Sequence, residues 1–442
     1  MKLRGLIAAV VVLAALGGLL WWSQRHQPNP TPATPTLPAI LKIDAKDVTG
    51  ITLQQKGQPP IVLVPAGSTA WQITEPASYR ANAESAEQIL SALGNLVPQR
   101  VVEEKPANLA SYGLSDPAVT VDIGEKNNQS IHLLLGDKTP TGDSSYAMVS
   151  GNPRVYTVEQ WVNSTFGKSL NDLRDKHLIP VKTQDVNQVE LLRKDQDIAC
   201  ARIPGGWQFQ KPAAYRTDNY QVDDLVSQLT SATWDPATSS SEADSAFAQG
   251  TPIATAKVTT GSGALAETDT LEVRKANDGT DYAKSSAVSG VWKVDASLAT
   301  ALDRDADSYR NKQLFSFGYT DPVNIHYQAG STDLSLVRSN QDWYSNGKKM
   351  DQTSVEAVVS ALRDLAASKF VDSGYSHPDI DLVVVSGSGQ TIEKVHLQKT
   401  ADGAIAKRED DPGIYVLDAN AINALETAVA GVKPAAPTTK KM

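Results

Sequence analysis

Over residues 40–180 the spacing of hydrophobic positions changes period twice. Ile51-Thr52-Leu53 and Ile61-Val62-Leu63-Val64 flank the turn signal Lys56-Gly57, which predicts two short strands, and the segment opened by Trp71 supplies a third. After Tyr79-Arg80 the spacing becomes helical: Ala86, Ile89, Leu90, Leu93 and Leu96 lie on one apolar stripe. Strand patterns return at residues 119–123, 131–135 and 155–158, and a second helix is predicted over residues 159–173. Antiparallel meanders with two helices make an α+β unit.

The pattern then repeats. Trp71, Trp207 and Trp343 are separated by 136 residues each time. Around the first two the match is a phrase: Trp71-Gln72, Pro76-Ala77 and Tyr79-Arg80 return as Trp207-Gln208, Pro212-Ala213 and Tyr215-Arg216. The same offset carries Tyr146-Ala147 onto Tyr282-Ala283 and Arg174-Asp175-Lys176 onto Arg310-Asn311-Lys312. The helical stripe recurs as Val222, Leu225, Val226 and Leu229, and again as Val355, Val358, Val359, Leu362 and Leu365. The third copy is shorter in its middle, 72 residues from Trp343 to Tyr415 against 85 from Trp71 to Tyr156, and holds Asp351-Gln352 at the Tyr-Arg offsets. Three tandem modules follow, at 40–180, 181–316 and 317–433, with a tail at 434–442. The chain length of 442 residues agrees, at roughly 150 residues per domain. The repeated tryptophans are expected as core anchors and the Tyr-Arg pairs as local packing.

Ahead of the modules, Lys2 and Arg4 precede an uncharged apolar run at residues 6–22 that ends in Trp21-Trp22. That length reaches the lower limit for a membrane-spanning helix, and the cations favour a cytoplasmic amino end. A cleaved signal peptide ending at Ala15-x-Gly17 is the competing reading; the anchor (residues 1–22) is preferred, because cleavage there would leave an apolar new terminus. Both place the rest of the chain outside the cytoplasm. Residues 23–39 carry Pro28, Pro30, Pro32, Pro35 and Pro38, a stiff spacer.

Charge and composition narrow the chemistry. A formal charge of −9 disfavours nucleic-acid binding, which rests on cationic contact with phosphates. The single cysteine, Cys200, precludes an internal disulfide framework and lies in an apolar run, as a buried thiol does. Gly167-Lys168-Ser169 lacks the upstream glycine of a phosphate loop. Asp303, Asp305 and Asp307 lack the glycine and glutamate of a calcium loop and read as a solvated helix face. The histidines lack ligand spacing, Ser386-Gly387-Ser388-Gly389 reads as a hairpin turn rather than a nucleophile elbow, and the polar residues 238–244 read as a loop. No cofactor, metal or catalytic set is expected.

Copy one also carries Tyr112-Gly113-Leu114-Ser115-Asp116-Pro117, then Leu135-Gly136-Asp137-Lys138, then Val155-Tyr156 and Arg174-Asp175-Lys176. This motif set resembles the bacterial domain of unknown function 4340 family; copies two and three depart from it, with residues 247–252 and 375–378 replacing the first phrase. The resemblance implies a single-pass protein of the bacterial cytoplasmic membrane with its bulk in the periplasm, associated with ABC-transporter components of the gliding-motility type. It supplies no catalytic residues. The expected role is a non-enzymatic membrane-tethered scaffold or accessory subunit working by protein-protein contact. An envelope ligand- or glycan-binding module and an uncharacterised hydrolase stay open as alternatives.

Overall fold

The computed structural model describes residues 37–67, 70–126, 128–238, 240–317, 322–387 and 391–436. The expected membrane anchor, most of the proline spacer and the end of the tail lie outside these residues. Among the described residues, no helix is long and apolar enough to cross a membrane. The described residues form two compact units, divided between Asp175 and Lys176.

The first unit is built on a nine-stranded antiparallel sheet. Its strands are β1 (Val48–Gln55), β2 (Ile61–Pro65), β3 (Trp71–Glu75), β4 (Tyr79–Arg80), β5 (Arg100–Glu103), β6 (Val119–Glu125), β7 (Ser130–Lys138), β8 (Ser144–Val149) and β9 (Val155–Glu159). They lie in the order β4-β3-β2-β1-β6-β7-β8-β9-β5. Alternation decides which face is covered. Ile51, Leu53, Leu63, Ile73, Val121, Ile123, Leu133 and Leu135 are all buried in one core with Ile89 and Leu93 of helix Ala83–Gly94. Each such side chain contributes about 1.5–3 kcal/mol by leaving water. Asn82 starts the helix, its side chain accepting from the Ser85 amide at 2.8 Å. The predicted second helix is broken at Gly167 into Gln160–Phe166 and Leu170–Leu173; Ser169 and Asp172 form a capping box that begins the second piece.

The second unit holds two sheets. One comprises β10 (Val186–Leu192), β11 (Asp197–Ile203), β12 (Gly206–Lys211), β13 (Thr251–Thr260), β14 (Glu267–Lys275), β15 (Asp281–Ser285) and β16 (Val291–Lys293). The other comprises β17 (Asn324–Ala329), β18 (Thr332–Ser339), β19 (Asp342–Ser345), β20 (Lys348–Lys349), β21 (Lys369–Val371), β22 (Ile380–Ser386), β23 (Thr391–Thr400), β24 (Gly403–Arg408) and β25 (Ile414–Asp418). The latter runs β20-β19-β18-β17-β22-β23-β24-β25-β21, the order of the first unit's sheet position for position. The middle sheet keeps only the central seven, β12-β11-β10-β13-β14-β15-β16. Helices Asn219–Ser231 and Gln352–Arg363 take the place of Ala83–Gly94, capped by Asp218 and Asp351.

Both edges missing from the middle sheet have a visible cause. Tyr215-Arg216, the phrase that forms β4 in the first sheet, is in no strand here, and the outward amides of β12 are taken by side chains: Trp207 N–H donates to Asn219 Oδ1 at 2.7 Å and Phe209 N–H to Thr217 Oγ1 at 3.1 Å. At the other edge stands helix Ser240–Gln249, where the polar residues 238–244 were expected to form a loop. Ala243 and Phe247, one turn apart, bury themselves against Val291 with Tyr282 alongside, and Arg274 lies over the Phe247 ring at 4.7 Å. Two apolar residues at i, i+4 suffice to hold a helix on a ready-made apolar patch. The segments crossing from the edge strand to the centre also differ: residues 104–118 join β5 to β6, whereas residues 372–379, about half as many, join β21 to β22.

Candidate functional site

The repeat residues sort into two groups. Tyr112, Gly113, Leu114, Pro117, Gly136 and Asp137 make a lock within the first sheet. Asn108 caps the turn Leu109–Tyr112, Gly113 ends it in the left-handed region (φ 68°), Leu114 drops into the interior, and half-buried Pro117 leads into β6. A Cβ on Gly136 would overlap the Tyr112 carbonyl, and one on Gly113 would press on Asp137, so the two phrases need each other's glycine. Tyr112 Oη donates to Glu103 at 2.6 Å, and its ring meets Tyr146 edge-on at 5.0 Å. The tryptophans are inward: Trp207 and Trp343 are each 4% exposed, while Trp71 is only half-buried against its core.

The second group joins the two sheets of the second unit. Arg310 follows the turn Ala306–Tyr309, and its guanidinium lies between two rings, 3.8 Å from Tyr215 and 3.6 Å from Phe370. It is 5% exposed and pairs with Asp307 at 3.0 Å. Arg216 is the next residue of the repeat phrase. Its amide donates to Asp411 Oδ2 at 2.5 Å, Nη1 donates to Gln313 O at 2.5 Å, and Nη2 donates to Ser316 Oγ. From the other side Arg408 Nη1 donates to Leu314 O, and the Ser316 amide donates to both Glu393 oxygens at 3.0 and 3.1 Å. Residues 313–316 are thus stapled from both sheets. Arg408, 1% exposed, pairs with Glu393 at 3.2 Å and Asp410 at 2.8 Å.

Electrostatics follow from that pairing. Burial opposes ionisation of Asp410, but the Arg408 guanidinium outweighs it and holds the carboxyl below its ordinary value. Burial likewise works against the Arg408 charge, and Asp410 more than restores it. Burial pushes the Tyr415 hydroxyl, beside Asp411, up to about 12. Arg310 and Arg408 each face a carboxylate, Arg310 two rings besides, and Arg216 and Asp411 are tied into hydrogen bonds, which suits a fixed joint rather than a reacting group.

The first sheet holds the same pair in part. Arg174 lies over Tyr79 at 4.0 Å, and Arg80 pairs with Asp175 at 3.6 Å. In the third, the register corrects the sequence alignment. Lys348-Lys349 occupy the strand position, whereas Asp351 is the helix cap and Gln352 its first residue. The bridge that Ala81 makes to Arg174, and Thr217 to Arg310, runs from Met350 to Pro434, so a proline, next to Lys433, stands where the other two copies have arginine. Both stacking partners are absent there. Asp303, Asp305 and Asp307 lie on turns rather than a helix face: Asp303 ends helix Ala296–Leu302, and Asp305 caps the next turn.

Sequence pattern does not point to Phe370, Glu393, Arg408, Asp410, Asp411 or Gly413. Asp411-Pro412, in the turn between β24 and β25, falls where copy one has Asn152-Pro153 between β8 and β9, and no acid stands in that earlier turn, so a search for repeated residues passes over the charge. Elsewhere, Cys200 is buried, which pushes its thiol up to about 12. Among the described residues no group of three or more His, Cys, Asp or Glu is placed to hold a metal. Ser376 Oγ lies 2.9 Å from His377 Nδ1, whose other nitrogen is 3.8 Å from Asp379; the imidazole is 68% exposed, and Ser376 also bonds Gln398.

The family described as Domain of unknown function (DUF4340) matches residues 71–200 and 207–381, well over half of the chain, and each match begins on a repeat tryptophan. The chain belongs to the DUF4340 family. The first DUF4340 match runs past the first sheet as far as Cys200 in β11, and the second covers the stacked Arg310 and the stapled residues 313–316. No curated protein matches the chain.

Proposed function

We propose that this DUF4340 protein is a membrane-tethered extracytoplasmic scaffold or accessory subunit, made of three related modules behind an N-terminal anchor and acting through protein-protein contacts. The observation that carries the reading is the joint: half-buried Arg216 and buried Arg310 and Arg408 are engaged in fixing two sheets to a shared linker, which favours a surface of constant geometry over a moving active site. The apolar run at residues 6–22 and its Trp21-Trp22 border support the tether. An ABC-type transporter is the partner class the family resemblance suggests.

Affinity capture of the tagged full chain from membranes tests this. Defined envelope partners, transporter subunits among them, are the expected result; repeated recovery of the bait alone would overturn it. A reporter that works only in the periplasm, fused after residue 40, is expected to be active, and activity of a cytoplasmic reporter there would refute the localisation. Hydrolysis is the second reading, favoured by the Ser376–His377 pair. Loss of an esterase activity in Ser376→Ala would support it; no such activity, or an unchanged one, would remove it.

A further inference from the structure

We infer that the middle sheet carries a pocket for a phosphate-type oxyanion, built from Lys182, Arg202, Ser227 and Ser231. A cavity of about 550 Å³ lies beside the end of helix Asn219–Ser231, large enough for a small ligand. Its walls include His177, Lys182 and Arg202 together with four hydroxyl side chains, and no carboxylate lines it, in a chain whose formal charge is −9.

The donors are arranged for an acceptor-only ligand. Arg202 is held by its Nε donating to Val186 O at 3.0 Å, by the Trp207 ring 4.3 Å beneath it and by a long pairing of its Nη2 with Asp223 at 3.5 Å, outside the pocket wall. Thr183 and Thr230 share a bond of 2.8 Å, and Thr230 donates onward to Val226 O at 3.0 Å, so their protons are committed. Ser231 has only a long contact of 3.5 Å to Gln228 O. Ser227 Oγ and Lys182 Nζ have no partner among the described residues. Charge-assisted bonds from lysine and arginine, with serine hydroxyls beside them, match a tetrahedral oxyanion.

The turn Ala45–Asp47 in the first unit is capped by Asp44, which accepts from the Lys46 amide at 3.0 Å. The corresponding turn Thr183–Asp185 has Lys182 at its cap and no capping bond. Lysine cannot accept that bond, so the turn loses its cap, whereas an aspartate there would repel an anion. The bland account is that the cations merely offset the negative end of the helix.

Calorimetry on the purified full chain at low salt, with inorganic phosphate in one arm and glycerol 3-phosphate in the other, separates the two accounts. Saturable phosphate binding that falls at least tenfold in Lys182→Glu and in Lys182→Ala, both with wild-type melting behaviour, is the expected result. Tighter binding of glycerol 3-phosphate assigns the pocket to phosphate esters such as lipid headgroups; its exclusion assigns the free ion. No phosphate binding, or variants that change stability while binding as wild type does, would overturn the proposal.

Discussion

Tyr79-Arg80 and Tyr215-Arg216 are the same two residues in the same phrase, and they end differently. The first pair forms edge strand β4 against Gln72 and Ile73. The second leaves its sheet, and its Arg216 amide binds Asp411 of the following sheet. Local propensity is equal, so the difference comes from tertiary partners: a charged acceptor offers a stronger bond than an edge-strand carbonyl. The arginine stack shows the same contrast. Arg174 has one ring, Tyr79, while Arg310 has two, the second being Phe370 from the next sheet.

Breaking the joint should therefore hurt the second unit far more than the first. Removing one partner of the buried pair, in Arg408→Ala or Glu393→Ala, is expected to cost about 3–5 kcal/mol, because the other charge stays buried. Hydrogen exchange on the full chain should show lost protection in β23 and β24 with the first unit unchanged. Arg310→Ala should follow at about 2–4 kcal/mol and Arg174→Ala at about 1 kcal/mol, by chemical unfolding followed segment by segment; equal effects would mean that the second ring adds nothing to the stack. Gly413→Ala places a Cβ against Arg310 and should cost about 1–3 kcal/mol, read as a lowered melting temperature.

The smallest effect is that of pH. Asp410 is held below its ordinary value by Arg408, and Glu409 by Lys394. A depressed carboxyl contributes stability that is fully present above its unfolded pKa, about 4, and is lost as pH falls through the lower folded value. Acidification below about pH 4 should loosen the joint, and Asp410→Asn should flatten that dependence in melting curves.

Much of this architecture is legible in the residues. Alternation and helical spacing give the central strands and the first helix of each sheet, because a half-covered sheet must alternate and a covering helix must carry one stripe. The 136-residue spacing of tryptophans gives the phase of the repeat. What escapes notice is tertiary. Helix Ser240–Gln249 has only Ala243 and Phe247 as its buried stripe, too weak a signal without the patch formed by Val291 and Tyr282. The third copy's missing residues fall in the turn before β20, the connection before β22 and the turn before β24; the first of these makes a fixed offset misplace Asp351 and Gln352 by one element. The joint acids lie on a turn whose composition is ordinary; only contact with Arg216 gives them a role.

Diverting Tyr215-Arg216 leaves β12 as the last strand on its side of the middle sheet, with amides that would otherwise face outward. Thr217 and Asn219 occupy those amides with an oxygen each, so the strand has few free donors to offer another chain. These two side chains thus protect the protein from its own copies: Thr217→Val with Asn219→Leu should leave the fold standing while opening an edge along which molecules zip together into aggregates.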